Sequence, residues 1–173
     1  CFVSFGLLLI FLTSFAGRDD AGTVFKGAVQ FNAGDFSLIK PGAYFYRYPH
    51  QLGLLSFERL VLYLIPLPVI SVFYVLNLGM VIGMNYATWK ITEELFQRPL
   101  VSRTAVIMSF GFLPLVFNIM FAYGLMYGLF FASFAILFFL RYLRRGKVRN
   151  AILSVLMLTL AYWVRSNNII LII

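Results

Sequence analysis

Acidic residues are scarce in this chain. Six Asp and Glu stand among 173 residues, against 14 Lys and Arg, and charged residues of both signs make up only 12% of the sequence. A soluble domain is roughly half apolar and about a quarter charged. Cysteine and histidine are scarcer still, with Cys1 and His50 each alone of its kind. A single cysteine excludes an internal disulfide framework, and one Cys with one His excludes a zinc-type cluster. Nothing in the sequence resembles a nucleic-acid module, so the formal net charge of +8 gives no reason to expect a nucleic-acid partner.

Apolar residues dominate instead. They reach 62% of the chain, with 20 Phe and 13 Gly, and the mean hydropathy is +0.91. Gly is more frequent in membrane helices than in soluble ones. The composition predicts an all-α integral membrane protein, and both termini fall inside apolar runs. The chain therefore reads as one transmembrane domain over 1–173, a fragment truncated at both ends of a longer protein. The run Cys1 to Ala16 lacks the basic segment and the small-residue cleavage site of a signal peptide, and reads as a cut first span.

A span needs about 20 apolar residues. That rule predicts spans at about 1–16, 60–87, 104–119, 122–140 and 150–164, with another starting at 169–173. The expected fold is thus a polytopic bundle of about five to six transmembrane helices. Pro66 and Pro68 would mark a kink or a late start in the second span. Thr104 to Leu140 carries no charge and would extend roughly 55 Å as one helix, against a hydrocarbon core of about 30 Å. The run is therefore split by a turn near Asn118 to Tyr123.

Orientation follows the basic residues. Arg141, Arg144, Arg145, Lys147 and Arg149 fall in one short stretch without an acid, which assigns the loop 141–149 to the cytoplasm. Counting spans puts loop 88–103 on the same side and the long loop 17–57 outside the cytoplasm. Arg18, Lys26, Lys40 and Arg47 in the outer loop oppose this assignment, at lower charge density. The predicted location is a multi-pass position in the cell membrane.

The outer loop holds half of the acids, Asp19, Asp20 and Asp35, together with His50. Within it, Val24, Phe25, Ala28 and Phe31 share a helical face that Lys26 and Gln30 avoid, which predicts a short interfacial helix. Asp19 and Asp20 would stand at its N-terminus, where Asp is a common cap. Gly34-Asp35 and Pro41-Gly42 are turn signals, and Tyr44, Tyr46 and Tyr48 suit an aromatic belt at a membrane boundary. A lone histidine such as His50 is more often a structural hydrogen-bonding residue than a catalyst. Arg165 reads either as a residue that snorkels to the boundary or as an anion site, since guanidinium binds phosphate bidentately and keeps its charge. Arg47, His50 and Arg165 facing the acid pair would suit a phosphate-bearing lipid beside a general base.

The string from Asp20 to Gly53 carries Asp20, Gly34-Asp35, Pro41-Gly42-Ala43-Tyr44 and Tyr48-Pro49-His50-Gln51-Leu52-Gly53 in order. Further on come Pro114, Tyr123-Gly124 and Arg165-Ser166-Asn167. This pattern resembles bacterial membrane glycosyltransferases of the GT-C type, related to the protein O-mannosyltransferase family 39, in their Gram-positive form. The resemblance runs from Asp20 nearly to the end of the chain. It implies transfer of a sugar from a polyprenyl-phosphate carrier to an acceptor on the outer face of the membrane.

On that resemblance Asp20 is the catalytic general base or metal-site acid, with Asp19 as neighbour. Arg165, His50 and Arg47 would hold the lipid phosphate, with Asn167 beside them. One carboxylate pair is thin support for a metal, so no cofactor is fixed and a divalent cation stays open. The implied partners are a polyprenyl-phosphate-linked sugar donor and membrane lipids. The second acid that family members often carry in a later loop has no counterpart here. Glu93 and Glu94 fall in the cytoplasmic loop, and Glu58 heads the second span. The family's soluble C-terminal portion is absent as well, so this fragment alone is expected to be inactive.

Two other readings compete. A transporter or flippase fragment would place charge within spans to line a path, whereas these spans are nearly charge-free. A non-catalytic polytopic membrane protein would have no use for an acid, a histidine and an arginine on one face.

Overall fold

A computed structural model describes residues 2–13, 17 and 19–166. Among them the fold is all-α, as expected. Its helices are α1 (Phe2–Leu12), α2 (Asp19–Asn32), α3 (Tyr44–Arg47), α4 (Leu52–Leu64), α5 (Ser71–Phe96), α6 (Pro99–Phe110), α7 (Leu113–Phe117), α8 (Leu125–Arg145) and α9 (Val148–Val164). Three short 3₁₀ turns, Ser37–Ile39, Pro49–Gln51 and Asn118–Met120, join some of them.

The bundle of five to six transmembrane helices is not what these residues form. Among the described residues one helix, α8, is long and apolar enough to cross a membrane. A second is reached only if α6 and the segment Leu113–Met120, bent by 53°, count as one span. The expected span 60–87 is two helices, because residues 65–70, with Pro66 and Pro68, leave the helical conformation between α4 and α5. The late start foreseen at these prolines is real, but the helix it begins is diluted by the buried Asn77 and Asn85 and by the charges of its last turns. The expected span 104–119 breaks at Gly111 and Phe112. α1 and α9 are apolar but short, and the start of a span at 169–173 lies outside the described residues. The turn expected near Asn118 to Tyr123 is present and ends at Gly124, whose φ of 74° is left-handed and favours glycine there.

The expected interfacial helix is also corrected. α2 is longer, and its predicted face turns into the protein: Val24, Ala28 and Phe31 are buried, and Phe25 packs edge-on against Phe73 at 5.9 Å. Gly27 lets this helix approach Phe45 and Leu55, so α2 packs on α4 rather than lying along a surface. Arg59 of α4 donates to the Asn32 side chain at 3.2 Å and lies over the rings of Phe31 and Phe36, fastening the end of α2.

α8 and α9 form an antiparallel pair. Small residues Gly128, Ala132 and Ala135 are buried on α8, and Ser154 of α9 donates to the Ala135 carbonyl at 2.9 Å. α8 ends at Gly146, in the left-handed conformation that commonly terminates helices. α5 lies against the other side of α8, with Gly83 receiving the ring of Phe130. Asn77 of α5 donates to the carbonyls of Ile119 and Phe121 at 3.0 and 3.3 Å, so the irregular segment before α8 is fixed by a buried amide. That segment carries Tyr123 into the site.

Candidate functional site

Three chain segments meet at Tyr123. Its hydroxyl donates to Asp20 Oδ2 at 3.2 Å, bridging from the first turn of α2. The Gln51 amide donates to the same hydroxyl from the turn before α4. From the C-terminal end of α9, Arg165 Nη1 donates to the Tyr123 carbonyl at 3.1 Å, and its guanidinium lies 5.5 Å from the ring centroid. A carboxylate and a guanidinium are thereby held on two sides of one tyrosine.

The local reasons can be read in the chain. α4 can approach the end of α9 only because Gly53 has no side chain, since a Cβ there would overlap the Trp163 carbonyl. That approach brings Gln51 and Leu54 against Val164 and Arg165. His50, Gln51, Leu54, Tyr123, Val164, Arg165 and Ser166 line a cavity of about 80 Å³.

Electrostatics follow from the carboxylate. Burial pushes the Tyr123 phenol up, and Asp20 raises it further, while the Gln51 hydrogen bond and Arg165 act in the opposite direction. Tyr44 is raised strongly, by burial first and then by the Asp20 carboxylate. Its hydroxyl is buried without a hydrogen-bond partner, and the Asp20 carboxylate acts on it as a near neighbour. Both phenols stay neutral, and Tyr123 donates to Asp20. Asp20 itself is exposed.

The other expected site residues fall as follows. His50 lines the cavity and is exposed, with its ring 6.1 Å from that of Tyr48. Arg47 ends α3 and is exposed, and it does not line the cavity. Asp19 is exposed, with a left-handed φ of 52°, and its carbonyl accepts from Thr23 at 3.0 Å. Asn167 lies outside the described residues. Asp35 serves its turn, accepting from the Ser37 N–H at 2.9 Å, which lowers its carboxyl below the ordinary range. Among the described residues no group of three or more His, Cys, Asp or Glu could hold a metal.

Sequence reasoning gave no chemical role to Tyr123, Gln51 or Tyr44. Each stands inside a motif string, and Tyr123 also interrupts an apolar run, which is the signal that could have singled it out. Glu58, expected at the head of a span, is instead fully buried in α4, with neither carboxylate oxygen hydrogen-bonded. No protein-family model, no curated protein and no solved structure matches this chain.

Proposed function

We propose that this protein is a membrane glycosyltransferase that moves a sugar from a polyprenyl-phosphate carrier to an acceptor hydroxyl at the outer membrane face. The observation that carries the reading is the Asp20–Tyr123–Arg165 arrangement. Asp20 takes the proton of the acceptor hydroxyl as the oxygen attacks the sugar carbon. Arg165, with His50 beside it on the cavity wall, stabilises the lipid phosphate that leaves. Tyr123 orients the carboxylate and separates it from the guanidinium, so that the two do not neutralise each other in a direct ion pair.

Membrane location is part of the proposal. α8 supplies the crossing, and its basic end at Arg144 and Arg145 lies on the cytoplasmic side. Support comes from the many large apolar side chains turned outward, among them Phe11, Tyr63, Leu100, Ile107 and Met108, each more than 70% exposed. Leu100, Ile107 and Met108 share one face of α6, and contiguous exposed apolar surface marks a membrane or partner interface. Asp20 and Arg165 are gathered with Tyr123, two residues before α8, so the chemistry falls at the outer end of that helix.

The test compares the full-length protein with Asp20→Asn in membranes, reading transfer of labelled sugar from polyprenyl-phosphate donors. At equal expression, the variant loses about 10²-fold or more of the rate. Full activity in the variant removes Asp20 from the chemistry. Absence of transfer from every donor by the unaltered protein turns attention to lipid or solute flux.

A further inference from the structure

We infer that the seam between α5 and α6 binds an anionic phospholipid, with the phosphate at its charged end and one acyl chain along its length. The inference rests on the proposed membrane location, but not on sugar transfer. Two openings lie along this seam. The first, about 330 Å³, is polar and is lined by Glu93, Glu94, Gln97, Arg98, Arg144 and Arg145 with Pro99. The second, about 450 Å³, has almost wholly apolar walls, chiefly Ile82, Tyr86, Trp89, Val106, Ile107 and Phe110. Ser102 and Arg103 stand on its wall as well.

The two openings are in register. Residues three or four apart share a helix face. Trp89 of the apolar groove and Glu93 of the polar cleft are so related on α5, as are Arg103 of the groove and Pro99 of the cleft on α6. The polar cleft therefore continues into the apolar groove one helical turn along, which is the shape of a head group followed by a hydrocarbon chain.

The charge of the cleft selects the head group. Lys90, Arg98, Arg141, Arg144 and Arg145 gather around two acids, Glu93 and Glu94, and Arg103 stands on the wall of the adjoining groove. Glu94 takes three of the arginines, at 3.3, 3.1 and 2.6 Å, and Glu93 takes Lys90 at 2.8 Å. One carboxylate cannot neutralise three guanidiniums. Arg98 and Arg103 make no ion pair among the described residues. The surplus is positive, next to an apolar groove and at the cytoplasmic end of α8. A basic cluster at that depth attracts anionic lipid, each Lys or Arg strengthening the binding about fivefold. The Glu94 cluster holds the arginines in place, and the apolar walls exclude a water-soluble phosphate ester as the preferred occupant.

The test uses the full-length protein purified in a neutral detergent. It is loaded with phosphatidylglycerol or phosphatidylcholine of equal chain length and examined by native mass spectrometry and by thermal melting. Phosphatidylglycerol is retained and raises the melting temperature, while phosphatidylcholine and free glycerophosphate do not. Retention falls with added salt. Arg98→Gln and Arg103→Gln each weaken retention about fivefold, and Val106→Trp, which fills the groove, abolishes it. Equal retention of both lipids overturns the charge selection, and equal binding of free glycerophosphate overturns the chain in the groove. Salt-independent retention by the unaltered protein overturns the proposal without reliance on any variant. Sugar transfer, measured alongside, persists in Arg98→Gln, so failure here is separable from failure of the catalytic reading.

Discussion

The Tyr123 hydroxyl donates to Asp20 at 3.2 Å, joining two residues 103 positions apart. No local rule of helix capping produces that bond. Asp20 stands in the first turn of α2, where a carboxylate is favoured by the helix dipole in any protein. Its engagement by a tyrosine from a distant irregular segment is a second use of the same group. If Tyr123 positions the carboxylate, Tyr123→Phe lowers the transfer rate about tenfold or more with little change in KM for the donor, while Asp20→Asn lowers it further. Steady-state transfer assays in membranes separate the two effects. An unchanged rate in Tyr123→Phe leaves the bond a structural fastening only.

The same pair sets a phenol titration. Tyr44 and Tyr123 have pKa values raised above 10.0 by burial first, with Asp20 adding to it. A raised value means that their contribution to stability is complete below pH 10 and is lost as pH rises through the folded values. In Asp20→Asn both phenols ionise at lower pH than in the unaltered protein. Ultraviolet difference spectra at alkaline pH, with Tyr44→Phe and Tyr123→Phe to assign the signals, report the displacement. Identical curves with and without the Asp20 charge mean that burial alone raises the two groups.

Gly53 carries the geometry that brings Arg165 to the site. Its Cα lies so close to the Trp163 carbonyl that any Cβ forces α4 and α9 apart. Gly53→Ala is expected to destabilise the protein by about 1–3 kcal/mol, the usual effect of overpacking. It is also expected to weaken donor binding, because Arg165 follows directly on α9. Melting temperature and KM together test this, and a variant with both unchanged shows that the crossing relaxes freely.

Much of this was legible in the chain, and the limits have physical causes. The string around Asp20, His50 and Arg165 was visible because polar groups stand out against an apolar background. The break at Pro66 and Pro68 and the turn before Gly124 follow from local backbone chemistry. The number of spans did not follow. Hydropathy sums along the chain without sensing direction, so it runs through residues 65–70 and through the 53° bend after α6 as though they were straight helix. Nor could it sense that Val24, Ala28 and Phe31 face α4 and not lipid, since the same apolar face suits either surface.

Glu94 offers the opposite case, an acid whose partners are 47 to 51 residues away. Its side chain is 8% exposed and is held by Arg141, Arg144 and Arg145, which are themselves 23 to 53% exposed. Glu94→Ala leaves these cations facing one another. Breaking a buried pair from one side costs about 3–5 kcal/mol, but solvent screening of the exposed arginines brings the expectation here to about 1–3 kcal/mol. The loss is read as a lower melting temperature that salt partly restores. A loss that salt leaves untouched assigns the effect to packing.

Glu58 is the acid that works against the fold. It is fully buried in α4, its oxygens have no hydrogen-bond partner, and burial pushes its carboxyl well above 4.5. The folded state therefore holds this proton at pH values where the unfolded chain has released it. For a raised value the stability contribution is complete below the unfolded pKa and is lost as pH rises through the folded one. The unaltered protein thus becomes more stable as pH falls from 7 toward 5. Glu58→Gln keeps the shape, cannot ionise and flattens that part of the profile, and at pH 7 it melts higher than the unaltered protein. Thermal melts from pH 5 to 8 provide the measurement. A profile equally steep in Glu58→Gln assigns the slope to other groups and means that Glu58 finds a partner in solution.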